Sequence, residues 1–232
     1  MPTTVVAPDG PAQSARRAVI VVQEAFGVDD HIVDVCGRFA ALGYLAVAPH
    51  LFHRDGVNAL PHDLAIVRRY MDNLTADGVI ADITEAREYL ISQGFSTQQI
   101  GIVGFCMGGS VTLVSAVKLS FGAAVTFYGG GLAEGRFGFP PLLDIAAELG
   151  CPWLGLFGDL DAGIPVDQVE ALRSAAAKSS SPTSVVRYAE AGHAFHCDAR
   201  PDRYHEASAR DAWQKAVDWF DRYLEQRPAA VQ

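Results

Sequence analysis

Cysteine is scarce and scattered in these 232 residues: Cys36, Cys106, Cys151 and Cys197 form no Cys-x-x-Cys pair. That spacing excludes a zinc ribbon and suggests no disulfide framework, so neither a metal nor another cofactor is expected. Positive charge is also short. Eighteen Lys plus Arg face twenty-seven Asp plus Glu, a net charge of −9, which leaves no excess cation for nucleic acid or an anionic lipid surface. No apolar run reaches the roughly 18 residues that span a bilayer, and Met1-Pro2-Thr3-Thr4 begins no basic-then-apolar leader. The expectation is a cytoplasmic protein, monomeric or homodimeric, whose partner is a small molecule. No repeat, charge block or long Pro/Ser linker divides the chain, so a single domain over residues 1–232 is expected.

What the chain has is apolar residues, half of its composition, arranged as short Val/Ile-rich runs between amphipathic stretches. That alternation predicts a mostly parallel sheet with helices on both faces, an α/β class. Strands are expected at 18–22, 44–48, 100–104, 123–127, 153–157 and 184–188, with an edge strand at 3–7. Helical spacing covers 30–42, 62–73, 78–93, 110–119, 166–178 and 201–226. Asp29 or Asp30 and Asp77 are candidate N-caps, and Gly43 and Gly94 candidate stops. Residues 178–182 read as a surface loop and 227–232 as a frayed tail.

The most informative stretch is Ile100-Gly-Ile-Val-Gly-Phe-Cys-Met-Gly-Gly-Ser110. A buried strand runs into Gly104-x-Cys106-x-Gly108-Gly109 and then a helix, the pattern of a nucleophile elbow with cysteine in the nucleophile's place. A tight strand-to-helix turn strains the central residue, and its neighbours must be glycine to avoid it. The sulfur then stands at a helix N-terminus, where free N–H groups and the dipole favour thiolate, and the Met107 N–H becomes an oxyanion donor. Such a nucleophile needs a base and an orienting acid. His193, in Ala191-Gly-His193-Ala-Phe-His196, and Asp161, in Asp159-Leu-Asp161-Ala-Gly-Ile-Pro165, each follow a predicted strand. The chain order Cys106, Asp161, His193 is the nucleophile–acid–base order of α/β-hydrolases.

These pieces, with Gln23-Glu24-Ala25-Phe26-Gly27, Gly43-Tyr44 and Ala48-Pro49, make the chain resemble the dienelactone hydrolase family over almost its whole length. The resemblance implies the α/β-hydrolase fold, Cys106 as nucleophile, His193 as base, Asp161 as its partner, and Glu24 as the acid that contacts the resting thiol. It also implies an oxyanion hole from the Ala25 and Met107 N–H groups and hydrolysis of a small ester or lactone through an acyl-thioester. In lactone-cleaving members an arginine stands four residues after the catalytic His and binds the substrate carboxylate. Here that position is Cys197, and Arg68, Arg69 and Arg54 are the other candidates for a clamp. Phe26, Phe52 and Phe195 flank the expected site loops and are read as an apolar pocket lining. Cys36 and Cys151 are read as core, and the His50-x-x-His53 and His193-x-x-His196 pairs as non-metal. The alternatives are a ligand-binding protein without catalysis, and a thiol redox sensor that pairs Cys106 with Cys197.

Overall fold

The structure, a computed structural model, describes residues 1–9 and 15–226. Its centre is a seven-stranded sheet in the order β1-β3-β2-β4-β5-β6-β7. The strands are β1 (Thr3–Val6), β2 (Arg17–Val22), β3 (Tyr44–Pro49), β4 (Ile100–Phe105), β5 (Ala123–Phe127), β6 (Trp153–Gly158) and β7 (Thr183–Tyr188). β1 pairs antiparallel with β3, Thr4 opposite Ala48, and every other pairing is parallel. β2 to β6 are buried on both faces, which is why they read as unbroken apolar runs instead of alternating ones.

The helices are α1 (Asp30–Ala41), α2 (Leu64–Asp72), α3 (Ala76–Ser92), α4 (Met107–Lys118), α5 (Leu142–Ile145), α6 (Val166–Ala176) and α7 (Glu206–Tyr223). On one face α1 and α7 pack through Phe39, whose ring lies 4.7 Å from Trp213 and 5.9 Å from Phe220. α3, α4 and α5 pack in succession on the other. One apolar core joins both layers to the sheet.

Four helix boundaries differ from the sequence reading. α4 begins at Met107 instead of 110, because Gly108 and Gly109 belong to its first turn. α3 is capped by Thr75, whose hydroxyl accepts from the Gly78 N–H at 3.2 Å, so Asp77 lies inside the first turn, where its charge suits the dipole. α2 begins at Leu64, capped by the Asp63 carboxylate, which accepts from the Ala65 N–H. α7 begins at Glu206, five residues after the predicted start. Its would-be first turn is drawn into the preceding loop, where the Tyr204 N–H donates to the Arg200 carbonyl and the His205 N–H to that of Phe195. Asp29 caps α1 as expected, accepting from the Ile32 N–H at 3.1 Å. The tail at 227–232 lies outside the described residues.

Candidate active site

Glu24, Cys106, Tyr128, Asp161 and His193 all follow the C-terminal ends of parallel strands, β2, β4, β5, β6 and β7 respectively. That edge is where an open α/β sheet leaves a crevice. β4 is the central strand of the seven, so Cys106 stands over the middle of the sheet.

The turn after β4 has the strain that the glycine spacing predicts. Cys106 adopts φ 53° and ψ −114°, a left-handed conformation that costs a residue with a Cβ. A Cβ on Gly104 would lie 2.0 Å from the Gly108 carbonyl oxygen, and one on Gly108 would lie 2.3 Å from that of Val22. Only glycine permits this approach of α4 to the strands. The Cys106 N–H donates to the Phe127 carbonyl at 3.1 Å, and Thr126 Oγ1 donates to the Gly109 carbonyl at 3.1 Å, tying the elbow to β5.

The loops after β6 and β7 are joined by the Leu160 N–H, which donates to the Ala191 carbonyl at 2.9 Å. Across this junction His193 Nδ1 donates to Asp161 Oδ2 at 2.6 Å, and His193 Nε2 lies 3.0 Å from Cys106 Sγ. The second Asp161 oxygen accepts from the Gly163 N–H at 2.9 Å, which fixes the carboxylate plane. Asp159, two residues earlier, is spent elsewhere: Arg187 grips it with two bonds of 2.8 Å. Burial pulls the His193 pKa down, but the charge of the Cys106 thiolate and the bonds to Asp161 and Cys106 outweigh it and raise the group to about 10. The arrangement therefore favours the imidazolium form of His193 beside the Cys106 sulfur. Burial pushes the other thiols in the core, Cys36 and Cys151, up to about 12, which keeps them protonated.

Above this chain is a cavity of about 620 Å³, with Cys106, Met107, Ala25, Asp161 and His193 among its walls. The Ala25 and Met107 N–H groups have no hydrogen-bond acceptor among the described residues, and both residues line this space. They are free to meet a developing oxyanion.

Other expected site residues are placed differently. Phe26, Phe52 and Phe195 are buried and do not wall the cavity. Phe52 packs on Tyr70, Phe195 on Tyr128 and Tyr188, and Phe26 on His62 with Arg200 over its ring. Close packing on ring neighbours fills the faces that a ligand would have touched. The apolar wall comes instead from Leu64, Met71, Phe137, Leu160 and Ile164. Neither Arg68 nor Arg69 reaches the cavity: Arg68 is exposed, and Arg69 is held by the Tyr70 hydroxyl and ring. Arg54 lies across buried Asp82, with bonds of 2.7 and 2.8 Å.

Glu24 does not contact the thiol here. Its Oε2 accepts from Arg200, and its Oε1 is buried without a partner. A charge-assisted pair with a guanidinium outcompetes a thiol for a buried carboxylate. Arg200, seven residues after His193, is committed to Glu24 and is not among the cavity walls, so it does not stand in for the substrate clamp sought four residues after His193. Two successive turns, Cys197 N–H to the Ala194 carbonyl and Arg200 N–H to the Cys197 carbonyl, fold the loop back toward β2. Tyr128 completes the cluster. It is fully buried at φ 39°, its hydroxyl has no partner, and burial followed by the Glu24 charge raises its pKa well above normal. The only sequence signals for Arg200 and Tyr128 were their places beyond a strand end, which many residues share.

Comparison with known proteins agrees with this architecture. The dienelactone hydrolase family model matches residues 1–224. A Salmonella typhimurium protein with the provisional name carboxymethylenebutenolidase is 40% identical over 218 residues, covering 91% of this chain and 79% of its own. The carboxymethylenebutenolidase of Rhodococcus opacus is 29% identical over 211 residues, 89% of this chain and 81% of its own. A Klebsiella pneumoniae crystal structure, provisionally named a dienelactone hydrolase, superposes with a TM-score of 0.86 at 37% identity, covering 96% of this chain and 93% of that one. Sheet order, elbow and relatives lead to one statement: this chain belongs to the dienelactone hydrolase family, on the α/β-hydrolase fold.

Proposed function

We propose that this protein hydrolyses a small carboxylic ester or lactone by a Cys106–His193–Asp161 triad, and that the whole chain acts as one catalytic domain. The observation that carries the reading is the continuous chain from Asp161 Oδ2 through His193 to Cys106 Sγ, with spacings of 2.6 and 3.0 Å, opening into the cavity beside two unbonded N–H groups. The thiolate attacks the carbonyl carbon, and the charge pushed onto oxygen is held by Ala25 and Met107. His193 Nε2–H gives its proton to the departing alkoxide as the tetrahedral carbon collapses to a thioester. A water then enters. His193 takes its proton, hydroxide adds to the thioester, and the acid leaves as Cys106 is restored. Asp161 holds the ring with Nε2 toward sulfur and stabilises the imidazolium. In this reading Glu24 is held by Arg200 in the resting site.

Purified protein assayed with 4-nitrophenyl acetate and a panel of lactones tests this. Wild-type turnover that iodoacetamide abolishes is expected, with none in Cys106→Ala and unchanged rates in Cys36→Ala and Cys151→Ala. Mass spectrometry of a quenched reaction should show the acyl group on the peptide containing Cys106. Full activity in Cys106→Ala would refute the mechanism.

A further inference from the structure

The motif Gln23-Glu24-Ala25-Phe26-Gly27 follows β2, and its first residue takes no part in the triad chemistry. Gln23 is fully buried. Its side-chain amide has an acceptor end and a donor end, and both are used. Oε1 accepts from the Leu51 N–H at 3.0 Å, just beyond β3, and Nε2 donates to the Glu24 carbonyl at 3.4 Å. The Leu51 N–H can only donate, so it fixes which end of the amide is which, and Nε2 falls to Glu24.

The Glu24 carbonyl shares one peptide unit with the Ala25 N–H, to which the proposed mechanism gives the oxyanion. A planar peptide cannot turn one end without the other, so whatever grips the carbonyl oxygen aims the N–H. Two donors grip it here: Gln23 Nε2 and the Gly27 N–H, the latter at 3.3 Å. Beyond them the loop is strapped to residues 58–60. The Val28 N–H donates to the Asn58 carbonyl and the Leu60 N–H to that of Phe26, each at 2.8 Å. On its other side the Gln23 backbone abuts the elbow, where a Cβ on Gly108 would lie 2.5 Å from the Gln23 carbonyl oxygen. Gly108 directly follows Met107, the second donor. The Gln23 backbone thus sets the loop against the first turn of α4, while its side chain ties the same loop to the end of β3.

Both bonds to the Glu24 carbonyl are long for hydrogen bonds in the resting protein. When negative charge develops on a substrate oxygen at the Ala25 N–H, the peptide polarises, its carbonyl oxygen gains negative charge, and the donors facing that oxygen are drawn in. An interaction that strengthens in this way belongs to the transition state and raises kcat without tightening substrate binding. We propose that Gln23 is a positioning residue for the hydrolysis: anchored on Leu51, its amide holds and polarises the Glu24–Ala25 peptide that supplies one oxyanion donor. This rests on the hydrolase reading, and the two fail by different outcomes.

The test compares wild type with Gln23→Met, which keeps the length and loses both polar ends, and with Gln23→Glu, which keeps an acceptor for Leu51. Steady-state hydrolysis of 4-nitrophenyl acetate is measured beside the rate at which iodoacetamide alkylates Cys106, a displacement of iodide at carbon that develops no oxyanion. In Gln23→Met, kcat should fall about tenfold to a hundredfold, somewhat less than outright loss of an oxyanion donor costs, with KM changed less than about threefold. The alkylation rate should stay within about twofold of wild type, which a collapsed loop or a disturbed elbow would not allow. In Gln23→Glu the second oxygen donates to the Glu24 carbonyl only while protonated, so its kcat relative to wild type should climb as pH falls from about 8 to about 5.5. Unchanged kcat in Gln23→Met, or kcat and alkylation falling together, would overturn the assignment while leaving the hydrolase reading intact. Should Gln23→Met fail to fold, a Gln23→Glu to wild-type kcat ratio that does not vary with pH would overturn it by itself. No hydrolysis by wild type, or full hydrolysis in Cys106→Ala, would instead overturn the hydrolase reading.

Discussion

Two aspartates separated by a single residue show how much one position decides. Asp159 and Asp161 share a loop after β6, yet one is bound by Arg187 and the other by His193. The sequence marked Asp161 by its Asp-x-x-Ile-Pro setting, and the geometry supplies the reason: its second oxygen is locked by the Gly163 N–H at 2.9 Å. Asp161→Asn should cut kcat/KM by up to about 10⁴, the scale seen when a serine protease loses its aspartate, while Asp159→Asn retains activity. The pH profile should move with it. Since His193 is raised to about 10 by Cys106 and Asp161 against the pull of burial, the alkaline limb of wild-type kcat/KM should lie near pH 10. Removing the Asp161 charge takes away an upward contribution, so the limb of Asp161→Asn should shift toward neutral. Equal losses from the two substitutions, or an unmoved limb, would reassign the orienting acid.

At the scale of the element, the β4–α4 elbow was legible because its constraints are local. Strain at Cys106 and the lack of Cβ space at Gly104 arise within a few residues, so a glycine pattern reports them. Gly104→Ala would press a methyl carbon to 2.0 Å from the Gly108 carbonyl oxygen and 2.5 Å from Thr112 Oγ1, and should cost about 1–3 kcal/mol or more along with most activity. Gly37→Ala in α1 is the contrast, since nothing lies within 4 Å of that Cβ, and a mid-helix alanine should add about 0.5–1 kcal/mol. Urea unfolding of both variants checks the pair, and similar stabilities would refute the steric account. Helix starts were less legible. Whether 201–205 joins α7 depends on bonds to Phe195 and Arg200, residues already committed to another loop.

Across the whole molecule, the β7–α7 loop is wedged between layers by His196. Its ring stacks on Phe105 of β4 at 5.2 Å and Trp213 of α7 at 5.8 Å and meets His31 of α1 at 5.7 Å, with Asp198 and Arg38 beyond. Burial, then the positive charges of His31 and Arg38, lower its pKa to about 3. The folded state therefore keeps this ring neutral while the unfolded chain binds a proton below about pH 6.5. Stability is unaffected above that value and is lost as pH falls from it toward 3, by up to about 1.4 kcal/mol per pH unit. His196→Phe keeps a stacking ring without the titration, so its unfolding free energy relative to wild type should climb as pH drops from 7 to 5. A constant difference over that range would show that the ring is not what acid attacks.

The sequence by itself determined the sheet class, the strands and the Cys106, Asp161 and His193 order, because periodicity, glycine spacing and chain order are properties of neighbours along the chain. It also located Glu24, Ala25 and Met107 at strand ends. What only the tertiary structure decided were facts of distance between loops. Among these are that Glu24 is held by Arg200 and not set against the thiol, that Phe26, Phe52 and Phe195 are packed and do not wall the cavity, and that Arg136 lines it. A side chain's partner across a loop depends on turns that no periodic pattern encodes, so composition can supply the charges while only the folded backbone assigns them.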